Sequence, residues 1–199
     1  MAPDVGAEAL KDFQAGATPG DESLVAAVLA LGDGAAFAVL MRRHQRQIYH
    51  LLLRLCRNHA AAEDLCQETF LRAWSKLEHY EGRGSFAGWL SRIAYNLFLQ
   101  HLRRWPPEKA MESLDVSAAS SQAAGALTTP DHGDLLPELD RLLGAVSDEE
   151  RTLLVLSYAG GLSATEIAAM LDRAPGTVKS QIHRAKEKIR EKFAIEVGV

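Results

Sequence analysis

Apolar residues recur every three or four positions through most of this chain, which predicts helices. The clearest case is near the C-terminus, where Val178, Ile182, Ala185, Ile189 and Phe193 advance by four, three, four and four and form one buried stripe. Pro175 fits the first position of that helix, where its missing N–H costs nothing. Two shorter helices precede it. Each opens with a hydroxyl three residues before a carboxylate, Ser147 with Glu150 and Ser163 with Glu166, the pattern of a reciprocal cap. The first carries Leu153 to Leu156 and is stopped by Gly160 and Gly161, while the second presents Ile167, Ala168 and Leu171 before a turn over Asp172 to Ala174. Three helices in this order predict a helix-turn-helix unit.

The N-terminal half carries the same period. It begins near Ser23 with Leu24, Val25 and Val28, and is interrupted at Gly32 and Gly34. A long helix is then expected from about Ala35 to Arg57, with Phe37, Leu40, Met41, His44, Ile48, Leu51, Leu52 and Leu55 on its apolar side. The next, from about Ala61 to Leu77, buries Ala62, Leu65, Cys66, Thr69, Phe70, Ala73, Trp74 and Leu77. Only residues 58 to 60 separate the two, so they should fold back as an antiparallel hairpin. A loop over His79 to Ser85, containing EGRGS, leads to a third helix from Phe86 to Arg104, ended by Pro106 and Pro107.

The expected fold is therefore all-α, with two small helical domains joined by a flexible acidic linker. The expected boundaries are a mobile acidic tail over 1–22, an N-terminal domain over 23–104, a linker over 105–136 and a helix-turn-helix domain over 137–195. Residues 105 to 140 hold seven acids and one Lys with weak periodicity. About 30 such residues average roughly 30 Å end to end as a coil and stretch to about 100 Å.

Composition narrows the chemistry. A chain of 199 residues that is 47% hydrophobic can build packed cores. No run approaches the roughly 20 apolar residues of a membrane span, and the start is acidic rather than a basic leader, so the chain is expected in the cytoplasm without membrane insertion. Cys56 and Cys66 lack a metal or redox spacing and read as small buried apolar residues. No Ser-His-Asp, HExxH or phosphate-loop pattern is present, so no catalytic residue, metal site or cofactor is expected.

Charge is distributed unevenly. The net charge is −4, yet residues 173 to 192 hold seven Lys or Arg against two Glu. A solvated face normally mixes both signs. A single-sign helix closing a helix-turn-helix is better explained by phosphates and a major groove, which makes Thr177, Lys179, Ser180, Gln181, His183, Arg184 and Lys186 candidate duplex contacts. A second acid-free stretch runs from Gly82 to Arg104 with four Arg, and Trp89, Tyr95 and Phe98 supply more aromatic surface than one core stripe needs. Rings stack bases while Arg neutralises phosphates, so this stretch suits single-stranded nucleic acid, with Trp89 better placed in the core.

The blocks AAEDLCQETFLRAW (61 to 74), WLSRIAYN followed by HLRR (89 to 104), and LSATEIAAMLDRAPGTVKSQIHRAKEKIRE (162 to 191) together resemble a bacterial sigma factor of the extracytoplasmic-function group. The likeness covers nearly everything from residue 24 to 192 except the linker. It implies a non-enzymatic protein that binds core RNA polymerase, directs it to promoter DNA and helps open the duplex, under the control of an anti-sigma factor. It further implies that Asp64, Gln67, Glu68 and Phe70 dock on the polymerase clamp. Residues 79 to 104, with Arg83, Arg92, Asn96, Arg103 and Arg104, would handle the −10 element, and the helix from Pro175 the −35 element. The linker would lie in the RNA channel of the polymerase.

Four residues depart from that family's pattern: Tyr95 and Gln181 stand where Arg is common, Gln100 where Asp is usual and Asp172 where Gly usually ends the helix. Tyr95 and Gln181 bear on which promoter is read. Two readings from other classes compete. A self-sufficient activator or repressor leaves residues 61 to 104 unexplained, and an adaptor that binds polymerase without reading DNA is opposed by the +5 helix.

Overall fold

The computed structural model describes residues 19–104 and 141–197, with side chains to residue 193. Residues 1–18 of the expected tail over 1–22, the linker over 105–136 and residues 137–140 of the expected helix-turn-helix domain lie outside the described residues. All regular structure among those described is helical: α1 Asp21–Leu31, α2 Gly34–Cys56, α3 His59–Ser75, a 3-10 turn Leu77–His79, α4 Phe86–Arg104, α5 Asp148–Tyr158, α6 Ala164–Leu171 and α7 Pro175–Val197.

Local chemistry fixes the helix ends. The Asp33 carboxylate accepts from the amides of Ala35 (2.8 Å) and Ala36 (3.2 Å), and Asn58 accepts from the Ala61 amide at 3.0 Å. Both expected capping boxes are formed, at Ser147 with Glu150 and at Ser163 with Glu166. The first helix starts earlier than its apolar pattern suggested. Asp21, placed in the tail on charge alone, opens α1 and is held there by Arg43 and by His44 Nε2 at 2.8 Å. Between α2 and α3 only Arg57 and Asn58 remain, and Arg57 turns the chain with a left-handed φ of 53°.

Helices α2, α3 and α4 pack as the body of the N-terminal domain, with α1 laid against α2. Leu40, Ile48, Leu51, Leu52, Ala62, Ala73, Leu90 and Ala94 are fully buried there. Leu153, Leu156, Ile167, Val178 and Ala185 do the same for the helix-turn-helix domain. Not every expected core residue is inside. Met41 and Phe193 lie at the surface, and Trp74 is 46% exposed although its ring meets Phe37 edge-on at 4.9 Å. Conversely, Tyr95 and Phe98 are buried in this arrangement, with ring centroids 6.1 Å apart, and present no open face for stacking. Their helix is buried on several sides, which a single-stripe reading could not anticipate.

Candidate nucleic-acid interface

Helix α7 seats Val178 and Ala185 in the core and turns Thr177, Lys179, Ser180, His183 and Arg184 outward, all exposed. The other two expected contacts are spent on packing. Gln181 is half-buried; its Nε2 donates to Glu149 Oε1 (3.3 Å) and its Oε1 lies 3.5 Å from Arg173 Nη1. Lys186 is half-buried, its Nζ 5.6 Å above the Tyr158 ring. Along the same flank Lys188 donates to Glu150 at 2.5 Å.

These contacts make α5 an electrostatic counterweight to α7. The Arg173 guanidinium, hydrogen-bonded to Glu149, holds that carboxyl below its usual range, and Lys188 does the same for Glu150 with help from the Ser147 amide. Acids at the start of α5 also suit its N-terminal dipole. The outward face of α7 keeps its positive charge while the flank is neutralised.

In the N-terminal domain the loop before α4 takes its shape from two glycines with positive φ, Gly82 at 69° and Gly84 at 84°. The Tyr80 hydroxyl donates to the Gly84 carbonyl at 3.1 Å. Tyr80, Phe86 and Trp89 form a ring cluster with centroids 5.4–5.5 Å apart, and His44 meets Phe86 at 5.5 Å from the α2 side. Trp89 is half-buried in this cluster, close to the core role expected for it. Tyr80, which the apolar period did not single out, is the aromatic residue that shapes the loop.

Arg83, Asn96, Arg103 and Arg104 are exposed, and Arg83 pairs with Glu81 at 2.9 Å. Arg92 is partly covered: its Nη2 donates to Glu166 Oε1 of α6 at 3.0 Å. Burial acts to raise the Glu166 carboxyl, but the bonds from Ser163 and Arg92 outweigh it and leave the group below its ordinary value.

On α3, Asp64 and Gln67 are exposed, and Glu68 is half-exposed and bonded to Arg72 at 2.9 Å. Phe70 is buried, so its side chain supports this edge from beneath and is not part of its surface. Leu71, 66% exposed, sits at the i+3 and i+4 positions from Glu68 and Gln67. An exposed apolar residue beside an acid and an amide is a surface feature that a search for core stripes passes over.

Other chemistry is weak. Burial pushes the Cys56 and Cys66 thiols up to about 11, which keeps both protonated at neutral pH. Among the described residues no cluster of His, Cys, Asp or Glu could hold a metal ion, and no helix is long and apolar enough to cross a membrane.

Residues 40–105 match Sigma-70 region 2 and residues 136–189 match Sigma-70, region 4. The ECF RNA polymerase sigma factor SigE of Mycolicibacterium smegmatis is 37% identical over 182 residues, covering 88% of this chain and 70% of that one. The chain belongs to the extracytoplasmic-function sigma factors. SigW of Bacillus subtilis, in the same family, is 31% identical over 173 residues, covering 81% of this chain and 91% of SigW. Among solved structures, RpoE of Bartonella quintana, crystallised with the anti-sigma factor NepR, superimposes with a TM-score of 0.61 at 28% identity over 80% of this chain and 97% of that one. As a sigma factor the protein directs RNA polymerase to promoters and is not an enzyme.

Proposed function

We propose that this sigma factor divides promoter recognition between its two domains. The outward face of α7, with Thr177, Lys179, Ser180, His183 and Arg184, reads the −35 duplex. The loop 79–85 and α4, with Arg83, Arg92, Asn96, Arg103 and Arg104, take the −10 element and help to open it. Gln181 contributes by orienting Arg173 and Glu149 beside the groove, and Lys186 by bracing α7 on Tyr158. The observation that carries this reading is the presence of two separate Arg-bearing helices of net positive charge, one in each domain, where a single-site DNA binder needs one.

Opening a duplex gains specificity by extruding a base, at a cost of a few kcal/mol, into a pocket that reads its edge. The Gly82–Gly84 loop can bend around such a base, Asn96 supplies a donor and an acceptor, and the Arg residues meet phosphates. Replacing residues 79–85 by a glycine-serine loop should therefore change the preferred −10 bases by roughly 1–3 kcal/mol per affected position and leave the −35 preference intact. Transcription from a randomised −10 library measures this. Unaltered −10 preference with a normal opening rate would refute it.

The edge formed by Asp64, Gln67, Glu68 and Leu71 is our proposed docking face for core polymerase, an exposed apolar residue beside two acids and an amide. Reversing Asp64 and Glu68 to Lys together should abolish pull-down of core enzyme while helical content stays normal; retention at the wild-type level would rule this face out. We further propose a cytoplasmic location and control by an anti-sigma factor, as NepR partners RpoE in the Bartonella quintana structure.

A further inference from the structure

The first residue of α1 is tied to the loop before α4 by a series of side-chain contacts through the N-terminal domain. Asp21 commits both carboxylate oxygens to consecutive residues of α2: Oδ1 accepts from Arg43, and Oδ2 accepts from His44 Nε2 at 2.8 Å. Arg43 also donates to the Pro19 carbonyl at 3.0 Å, so one guanidinium grips the chain on both sides of the helix start. A carboxylate only accepts, so Nε2 of His44 carries the proton and the imidazole is held in one orientation. His44 is buried, and its ring meets Phe86, the first residue of α4, with centroids 5.5 Å apart and planes at 62°.

From Phe86 the contacts continue into the loop. Phe86 stacks on Trp89 at 5.5 Å and is met edge-on by Tyr80 at 5.4 Å. Tyr80 also leans on Trp89 at 5.4 Å, which closes the cluster. The Tyr80 hydroxyl reaches the Gly84 carbonyl, while its amide donates to the Leu77 carbonyl at 3.0 Å. Helix α1 supports the same place from outside, because it touches the 3-10 turn Leu77–His79. Burial raises the Tyr80 hydroxyl above its ordinary value, and the Glu22 and Asp21 carboxylates raise it further, as an acidic helix start facing that ring requires.

The loop itself is weakly held. Gly82 and Gly84 take positive φ, and the Arg83–Glu81 pair is exposed. Its bend therefore depends on its two ends, the Tyr80 ring and Ser85, whose hydroxyl accepts from the Gly88 amide at 3.0 Å. A pocket that reads a base must hold its walls to within about 0.5 Å, so a small displacement of Tyr80 changes which bases fit.

We propose that Asp21 and His44 are positioning residues for −10 recognition: acting through Phe86 and Tyr80, they set the bend of the loop and so tune which −10 bases this sigma factor accepts. This rests on the assignment of the loop over 79–85 to the −10 element. A histidine that only filled the core would support every −10 sequence alike, whereas one that positions the loop changes their order.

The test assembles full-length variants with core polymerase and measures transcription from a library randomised at −10, with the −35 element fixed. Asp21→Ala removes both bonds from a side chain that is 24% exposed, and His44→Leu keeps an apolar filling without the tether. Each should change the relative use of favoured and disfavoured −10 bases by roughly two- to tenfold, the scale of one lost hydrogen bond, and in the same direction. Asp21→Asn keeps an acceptor for His44 and should restore the wild-type order of bases. Asp33→Ala, which removes the cap of α2, is the structural control: it should lower the melting temperature and scale all −10 sequences equally.

Equal scaling by Asp21→Ala and His44→Leu as well would overturn the proposal. Should His44→Leu not fold, Asp21→Ala decides alone, because its partly exposed bonds contribute little to stability. The glycine-serine replacement of residues 79–85 is carried through the same library. If it reorders the bases and Asp21→Ala does not, the link from α1 is wrong and the loop assignment stands. If it too leaves the order unchanged, the loop assignment falls and the proposal falls with it.

Discussion

The two helices that we assign to promoter DNA have similar charge and opposite surroundings. Helix α7 lies on a small support of α5 and α6, shows one face to the core and leaves the other open, with Lys179, His183 and Arg184 exposed. Helix α4 is packed by α2 and α3 on one side and faced by α5 and α6 on another, so that Ser91 and Tyr95 are buried and Arg92 is partnered. A helix that needs only one buried stripe can devote the rest to DNA. A helix that is both core element and domain contact keeps only part of that face open: Asn96, Arg103 and Arg104 stay exposed while Arg92 is engaged by Glu166.

The comparison can be broken first at α7, where the largest effect is expected. Lys179→Ala or Arg184→Ala should weaken −35 binding by up to about tenfold in the polymerase complex and reduce the log-log salt slope by roughly 0.9 each, as loss of one phosphate contact requires. Gln181→Ala should change the slope little, because its amide is engaged by Glu149 and Arg173 on the flank. If Gln181→Ala reduces the slope as much as Arg184→Ala does, the flank and the open face are not distinct, and the contrast drawn between them is wrong.

That distinction also marks what a sequence can reveal. The α7 stripe, both capping boxes and the turn before Pro175 could be read directly, because each is a local pattern with a local cause. Gln181 could not be separated from Arg184 by charge or period: its direction is set by Glu149, 32 residues away. Phe70, expected on a docking edge with its polar neighbours, is buried because it lies on the broad core side of α3 with Ala62, Leu65, Cys66, Thr69 and Ala73. Tyr95 was a candidate base-stacker because α4 has more apolar surface than one stripe. The extra surface is occupied by the other domain, a contact between residues more than 60 apart that no periodicity encodes.

The smallest effect separates the two helices by acid. Glu166, Glu149 and Glu150 are all held below the usual carboxylate value of 4.5 in the folded chain. A carboxyl whose folded value is depressed contributes stability that is fully present above 4.5 and is lost as pH falls through the lower folded value. Glu149 and Glu150 lie near the surface, so protonating them should loosen the flank of α7 without unfolding it. Glu166 faces the Arg92 guanidinium, which stays charged throughout, so its protonation removes the attraction between the domains at a single point. Energy transfer between fluorescent labels placed at Leu29→Cys and Glu191→Cys, both exposed sites, should therefore decline as pH is lowered below about 4.5, with helical content by circular dichroism largely kept. The Glu166→Gln variant, with no charge there to lose, should start low and stay flat over the same window. A wild-type decline matched by an equal decline in the variant would assign the opening to other carboxylates and remove Glu166 from the contact that distinguishes α4 from α7.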